Sequence, residues 1–275
     1  MIKKLKKFGF LDCTLRDGGY YSNWDFSPKV LENYFKAMDN LPIDFIEVGY
    51  RNINHERYHG EFFYTPINTI EGIKKITTKP LVVILNEREL TINQIKALIE
   101  PCIGKIKMIR LAVAPDNLEQ AKLKASIIKS MGFEVALNIM YLSNWINDLE
   151  FYKKLNNIEE FTDYLYLVDS FGAVFPKELK MIIRTIKKLT NVKLGFHGHN
   201  NLELAFANTI ISIEEGIDLV DGTIMGMGRG SGNLKTELLL SIMGKKRDIN
   251  FDILSNTLED FQKLKNQYKW ETSLP

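Results

Sequence analysis

The chain has 275 residues, 45% of them hydrophobic, and its 36 basic and 34 acidic side chains leave a formal charge of +2. That balance excludes a broad nucleic-acid footprint: the Lys-rich start (Lys3, Lys4, Lys6, Lys7) is short, runs straight into an apolar strand and reads as a solvated face. Two cysteines, Cys13 and Cys102, make no disulfide framework, no apolar run approaches the ~20 residues of a membrane span, and no signal-peptide pattern opens the chain, so a cytoplasmic, soluble protein is expected.

The first β-rich run is "KFGFLDCTL" (7–15), continuing into "RDGGYY". As a strand it puts Asp12, Thr14 and Arg16 on one face, with Asp17 at the turn into Gly18-Gly19. Two glycines there allow the backbone to pass close to a ligand. Arg16 beside Asp17 reads either as a surface ion pair or as an anion-holding arginine next to a metal-binding carboxylate. Asp12 lies deeper and reads as structural. "YYSNWDF" (20–26) either lines a pocket or plugs the mouth of the fold. A helix is expected over 28–39. The second run, "IDFIEVGY" (43–50), places Glu47 among apolar neighbours, where a carboxylate needs a partner, and Arg16 is the natural one. His55 and His59 in "RNINHERYHG" read as surface residues.

Further strands follow in "PLVVILN" (80–86), "IKMIRLAVA" (106–114), "FEVALNIMY" (133–141), "YLYLVDS" (164–170), "KLGFHGH" (193–199) and "DLVDGTIMG" (218–226). Helical periodicity falls between them at 116–131, with Asp116 as its cap, at 176–190, with Pro176 in its first turn, and at 202–215 and 233–244. Asn138, Tyr141, Asp169 and Ser170 stand at strand ends, as substrate contacts or as loop caps. Arg110 and Asp221 are open between site and surface. In 193–199, Gly195, His197 and His199 share a face; two imidazoles at this spacing chelate one divalent ion or form a hydrogen-bonded polar pair. With Asp17 they would make a two-histidine, one-carboxylate site. "GMGRGSGN" (226–233) follows the last strand, the wrong place for a dinucleotide fingerprint; in a barrel its backbone lies near the proposed metal, and Arg229 reads as a contact for an anionic part of a substrate or as a solvated loop residue.

Eight strands alternating with helices over ~250 residues predict an α/β fold of the (β/α)8 TIM-barrel type, with a doubly wound open sheet as the competitor. The whole of 1–275 reads as one catalytic barrel domain. The last stretch, "NQYKWETSLP", has no polar tail, so the natural chain is expected to continue.

"TLRDG", "IEVG", "HGHNN" and "GMGRGSGN", in this order over about residues 8–245, resemble the metal-dependent lyase and aldolase barrels, the DRE-TIM metallolyase superfamily. "LVDSFGA" and the run from "HNNLELAF" to "GRGSGN" look most like its 4-hydroxy-2-oxovalerate aldolase branch. The resemblance implies metal ligands at Asp17, His197 and His199, with Asn233 a further one in some relatives. It implies catalytic roles for Arg16 and Glu47; the substrate contacts expected at Asn138, Asp169, Ser170 and Arg229 come from their places in the barrel. The implied cofactor is divalent manganese or magnesium, with cobalt or zinc as alternatives. The implied reaction joins or splits pyruvate, or a similar 2-oxo acid, and an aldehyde through a metal-stabilised enolate.

Two departures qualify it. The branch's catalytic histidine falls on Tyr20, which leaves the proton transfer open between Tyr20 and a metal-bound water. The branch also carries a dehydrogenase-docking C-terminal domain; that partner is not carried over, and a homo-oligomer or a further C-terminal region stays open. The rivals are an acyl-CoA-dependent chain-extending synthase, disfavoured because Gly18-Gly19-Tyr20 replaces Gly-Glu-Gln, a Schiff-base aldolase, and a catalytically silent metal-binding barrel. Lys105, Lys107 and Lys193 lie at strand beginnings, the wrong end for a Schiff base.

Overall fold

The apolar runs of the sequence become eight parallel strands, which close on themselves in chain order. They are β1 (Gly9–Asp12), β2 (Phe45–Tyr50), β3 (Leu81–Asn86), β4 (Met108–Val113), β5 (Glu134–Ile139), β6 (Tyr164–Asp169), β7 (Lys193–Gly198) and β8 (Leu219–Gly222). The closing pair is β1 with β8, in a register that sets Asp12 opposite Gly222. The structure is a computed structural model and describes residues 7–243, 249 and 251–270. Lys3, Lys4, Lys6 and the tail beyond Trp270 lie outside the described residues. The expected TIM barrel is therefore the fold, and the open sheet is excluded. Among the described residues no helix is long and apolar enough to cross a membrane.

Helices cover the outside of the barrel, so the strands are buried on both faces and read as nearly continuous apolar runs. Local signals place several of them. Ser27 caps the helix Pro28–Asn40, with Pro28 in its first turn, and Thr91 forms a capping box with Gln94 at the start of Ile92–Ile99. The expected cap at Asp116 is not made. Asn117 precedes the helix Leu118–Ser130, and the Asp116 carboxylate instead accepts a 2.6 Å bond from Arg88.

The largest departure follows β1. The strand stops at Asp12, and Thr14–Ser22 is a helix, so Arg16 and Asp17 stand on its first turns and not at a strand end. Asp12 ends the strand. Its carboxylate accepts from the Thr14 amide (3.0 Å) and the hydroxyls of Thr14 (2.6 Å), Tyr34 (2.7 Å) and Thr236 (2.7 Å), which is the structural role the sequence favours. Gly18 and Gly19 lie inside this helix. A Cβ on Gly19 would stand 2.0 Å from the Trp24 ring, so this glycine serves packing and not close approach to a ligand. Trp24 closes the turn by donating its Nε1–H to the Arg16 carbonyl at 2.9 Å.

Candidate active site

The even-numbered strands send one residue each into the barrel interior at a single level: Glu47 from β2, Arg110 from β4, Tyr166 from β6 and Asp221 from β8. Four side chains from alternate strands are the usual layer of such a barrel, ordinarily filled by branched apolar residues. Here the layer is ionic. Arg110 is wholly buried. It donates to Asp221 Oδ2 (2.6 Å) and Asn138 Oδ1 (3.1 Å), pairs with Glu47 Oε1 (3.2 Å), and lies 4.2 Å over the Tyr166 ring. Gly195 on β7 leaves the space for that ring, since a Cβ there would meet it at 2.4 Å. Neither Arg110 nor Asp221 is a surface residue. Together they form a rigid floor beneath the site, and burial alone would exclude so many charges unless they were paired.

Arg16 stands on this floor. Its Nε donates to Glu47 Oε2 at 2.7 Å and its Nη1 contacts Asp17 Oδ1 at 3.0 Å. The pairing of Arg16 with Glu47 that the apolar setting of Glu47 demanded is present, and Glu47 is shared between two guanidiniums. A shift of register in the β2–β3 ladder between Glu47 and Gly49 lies beside it, as bulges near sites often do.

His197 sits on the same floor through Asp221, whose Oδ2 lies 2.9 Å from Nδ1. Burial pushes the His197 pKa down, but Asp17 and Asp221 outweigh it and hold it above the ordinary value; Nε2 lies 3.4 Å from Asp17 Oδ2 and would give up its proton to an ion bound there, while Asp221 keeps the one on Nδ1. Burial pushes the Asp17 carboxyl up, but Arg16 and the two histidines outweigh it and hold the group well below the usual carboxylate range. His199 is neutral at pH 7: burial, helped by His197, Arg229 and Arg16 against the pull of Asp17, pushes it down to about 3. A carboxylate oxygen and an imidazole nitrogen face each other too far apart for a good hydrogen bond. They are about as far apart as two ligands of one ion at ~2.1 Å each. The site therefore fits a divalent cation. Asn233 donates its Nδ2–H to Asp17 Oδ2 at 2.5 Å, and its Oδ1 is buried without a partner. His199 faces the same side as His197, their ring centroids 5.1 Å apart. The tightest ligand cluster among the described residues joins Asp17 and His197 with Cys13, their ligand atoms within 4.8 Å of one another. His199 stands outside that cluster.

A pocket opens above, lined by Arg16, Asp17, His197 and His199 and walled by Tyr20, Tyr50, Asn138, Tyr141, Ser170 and Arg229 among others. Tyr20 is half exposed, and its hydroxyl lies 3.1 Å from that of buried Tyr50. Asn138 has its carbonyl occupied by Arg110, and the Ser170 hydroxyl accepts from the Tyr141 amide at 2.9 Å. Asp169 does not line the pocket. Its two oxygens accept from the amides of Ala173 (3.0 Å) and Val174 (3.2 Å), so the expected substrate contact gives way to the loop cap. No lysine is among the lining residues; Lys193 lies over Tyr164 and Lys107 pairs with Glu134. His55 is exposed and His59 half-buried; they pack with Phe63 outside this wall.

Sequence reasoning passed over Cys13, Tyr50 and Tyr166. Only Tyr50 carried a usable signal, as the last residue of β2, at the end of the barrel where loops carry chemistry.

A model of the HMGL-like family matches residues 7–266. A curated relative from Carboxydothermus hydrogenoformans, named 4-hydroxy-2-oxovalerate aldolase, is 28% identical over 87% of this chain and 71% of its own. The crystal structure of the N-terminal domain of a provisionally assigned aldolase from Bacteroides vulgatus is 46% identical. It covers 98% of this chain and 90% of that one, with a TM-score of 0.95. The carboxyl transferase domain of Rhizobium etli pyruvate carboxylase shares the fold alone, at 15% identity and a TM-score of 0.76, covering all of this chain and 50% of that one.

Proposed function

Because the chain belongs to the HMGL-like family, we propose that it is a divalent-metal-dependent aldolase, a carbon–carbon lyase. Its substrates would be pyruvate or a similar 2-oxo acid and an aldehyde. The observation that carries the reading is the pair Asp17 Oδ2 and His197 Nε2, facing across 3.4 Å beside an arginine already fixed in direction by Glu47. Asp17, His197 and His199 would hold the ion, with the Asn233 amide at the same carboxylate. The resemblance favours manganese or magnesium, with cobalt or zinc as alternatives. The ion supplies Lewis acidity toward the keto group and carboxylate of the 2-oxo acid.

The chain's own groups do the rest. Glu47 and Asp17 hold two nitrogens of Arg16, which keeps the guanidinium oriented toward the pocket. A positive charge fixed there stabilises negative charge developing on the substrate oxygen without having to reorganise during the reaction. Arg229, at the exposed rim, and Asn138 and Ser170, on the wall, contact the polar ends of the substrates. Tyr20 relays the proton of the aldol hydroxyl during cleavage, its oxygen accepting that proton as its own O–H passes to solvent water at the half-exposed rim, with the reverse during synthesis, and the buried Tyr50 hydroxyl positions it.

The enolate half of the reaction involves the floor of the site and the aldehyde half involves Tyr20, so the two can be separated. In D2O the metal-loaded protein should exchange the methyl protons of pyruvate without any aldehyde, and a chelator should stop it. Tyr20→Phe should slow aldol cleavage by about 100-fold, the ordinary contribution of a positioned acid–base group, while leaving exchange within a few-fold of wild type. NMR follows both. Absence of exchange above the free-metal background would overturn the 2-oxo-acid reading. Undiminished cleavage in Tyr20→Phe would move the proton to water.

A further inference from the structure

Cys13 directly follows β1 and precedes the helix that carries Arg16 and Asp17. Its side chain points into the barrel, with Leu11, Val82, Met108 and Tyr166, and is wholly buried. Nothing in the proposed reaction uses it, yet Sγ stands within 4.8 Å of the ligand atoms of Asp17 and His197. We propose that Cys13 is a thiolate ligand of the ion held by Asp17 and His197, so that the site selects thiophilic divalent metals of the zinc and cobalt class over magnesium. This rests on the metal reading of the site given above.

Three observations support it. The first is reach: neighbouring ligands on one ion, with sulfur at about 2.3 Å and nitrogen or oxygen at about 2.1 Å, stand roughly 3–3.5 Å apart, so a small side-chain movement brings Cys13 to an ion of expanded coordination that keeps a position open for the substrate. The second is that Sγ is weakly held. Its hydrogen bond is a long 3.5 Å contact to the Gly222 carbonyl, and a thiol is a poor donor. The third is charge and partnership around it. Asp17, Glu47 and Asp221 oppose Arg16 and Arg110, one negative charge in excess, so before substrate binds a divalent ion with a thiolate makes the buried cluster neutral. Buried Asn233 Oδ1, on a side chain that donates to Asp17, has no partner. As the sulfur–metal bond forms, the thiol proton leaves to solvent through the pocket above. Soft sulfur favours zinc and cobalt, while magnesium prefers an all-oxygen octahedron and keeps its waters.

The test is cobalt substitution of the chelator-stripped full chain, read by absorption. Bound cobalt gives visible d–d bands, and a thiolate adds a near-ultraviolet sulfur-to-cobalt charge-transfer band. Wild type should show both. Cys13→Ser should keep the d–d bands and lose the charge-transfer band, with zinc affinity falling about 100-fold and magnesium affinity nearly unchanged. Cys102→Ser, in the outer core, should change neither. Wild-type d–d bands without charge transfer overturn the Cys13 assignment and leave the metal site standing. A charge-transfer band that survives Cys13→Ser overturns it too. The absence of any cobalt band would remove the metal reading itself, and this assignment with it. The wild-type spectrum decides the question even if Cys13→Ser folds poorly.

Discussion

Arg16→Lys is expected to lower turnover by about 100- to 1000-fold, the usual loss when a preorganised donor to a developing oxyanion is removed. The charge survives the change but the fork does not. Arg16 holds Glu47 through Nε and Asp17 through Nη1 at the same time, and a single ammonium can satisfy only one of them at these distances. The lysine would settle on one carboxylate, and the direction of the charge over the pocket would be lost. The fold should tolerate this. Glu47 keeps Arg110 at its other oxygen, and Asp17 keeps the Asn233 amide and His197, so neither buried carboxylate is stripped of its partners. We expect a stability loss of about 1 kcal/mol, seen as a fall of roughly 2–4 °C in Tm for a chain of this size. Steady-state cleavage and thermal unfolding on the same preparation separate the two effects. If turnover and stability fell together, Arg16 would be a structural residue only.

That separation depends on geometry the sequence shows only in part. The eight strands are legible because each is an apolar run bounded by helical periodicity, and both patterns are local. His197 and His199 are legible for the same reason: an alternation of two fixes the face they share. The helix Thr14–Ser22 is not legible. Its sequence, with a β-branched first residue and two glycines, favours helix poorly. It forms because Asp12 holds the Thr14 amide, and because Trp24, later in the chain, packs against Gly19 and bonds the Arg16 carbonyl. The ionic floor is hidden for a different reason. Arg110 stands alone in "KMIRLAVA", and its partners come from β2, β5 and β8, whose relative heights are set by the stagger of the closed barrel and not by any spacing along the chain. Glu47 could be given one partner from sequence, Arg16, because the two fall near the ends of neighbouring strand runs. The second partner needed the barrel.

The second partner sets the other large effect. Glu47→Ala should destabilise the metal-free protein by about 3–5 kcal/mol, the range for stranding a buried charge by removing its partner. At roughly 2–4 °C per kcal/mol this is a fall in Tm on the order of 10 °C. Glu47 is wholly buried and holds Arg16 through one oxygen and Arg110 through the other. Without it, Arg110 retains Asp221 and Arg16 retains Asp17, so the charges balance, but Arg16 Nε and Arg110 Nη1 are left without their buried acceptor. Arg16, closer to the mouth, can turn toward water. Arg110 cannot, because it is sealed beneath the site against Tyr166. The loss should therefore reside mainly with Arg110. Adding Arg110→Met to Glu47→Ala should recover part of the stability, since the double variant no longer buries a guanidinium nitrogen stripped of its acceptor, although Asp221 then depends on His197 alone. Denaturant unfolding of wild type, both single variants and the double variant closes the cycle. A loss below about 1 kcal/mol in Glu47→Ala, or strict additivity in the double variant, would mean that the floor is not one coupled network.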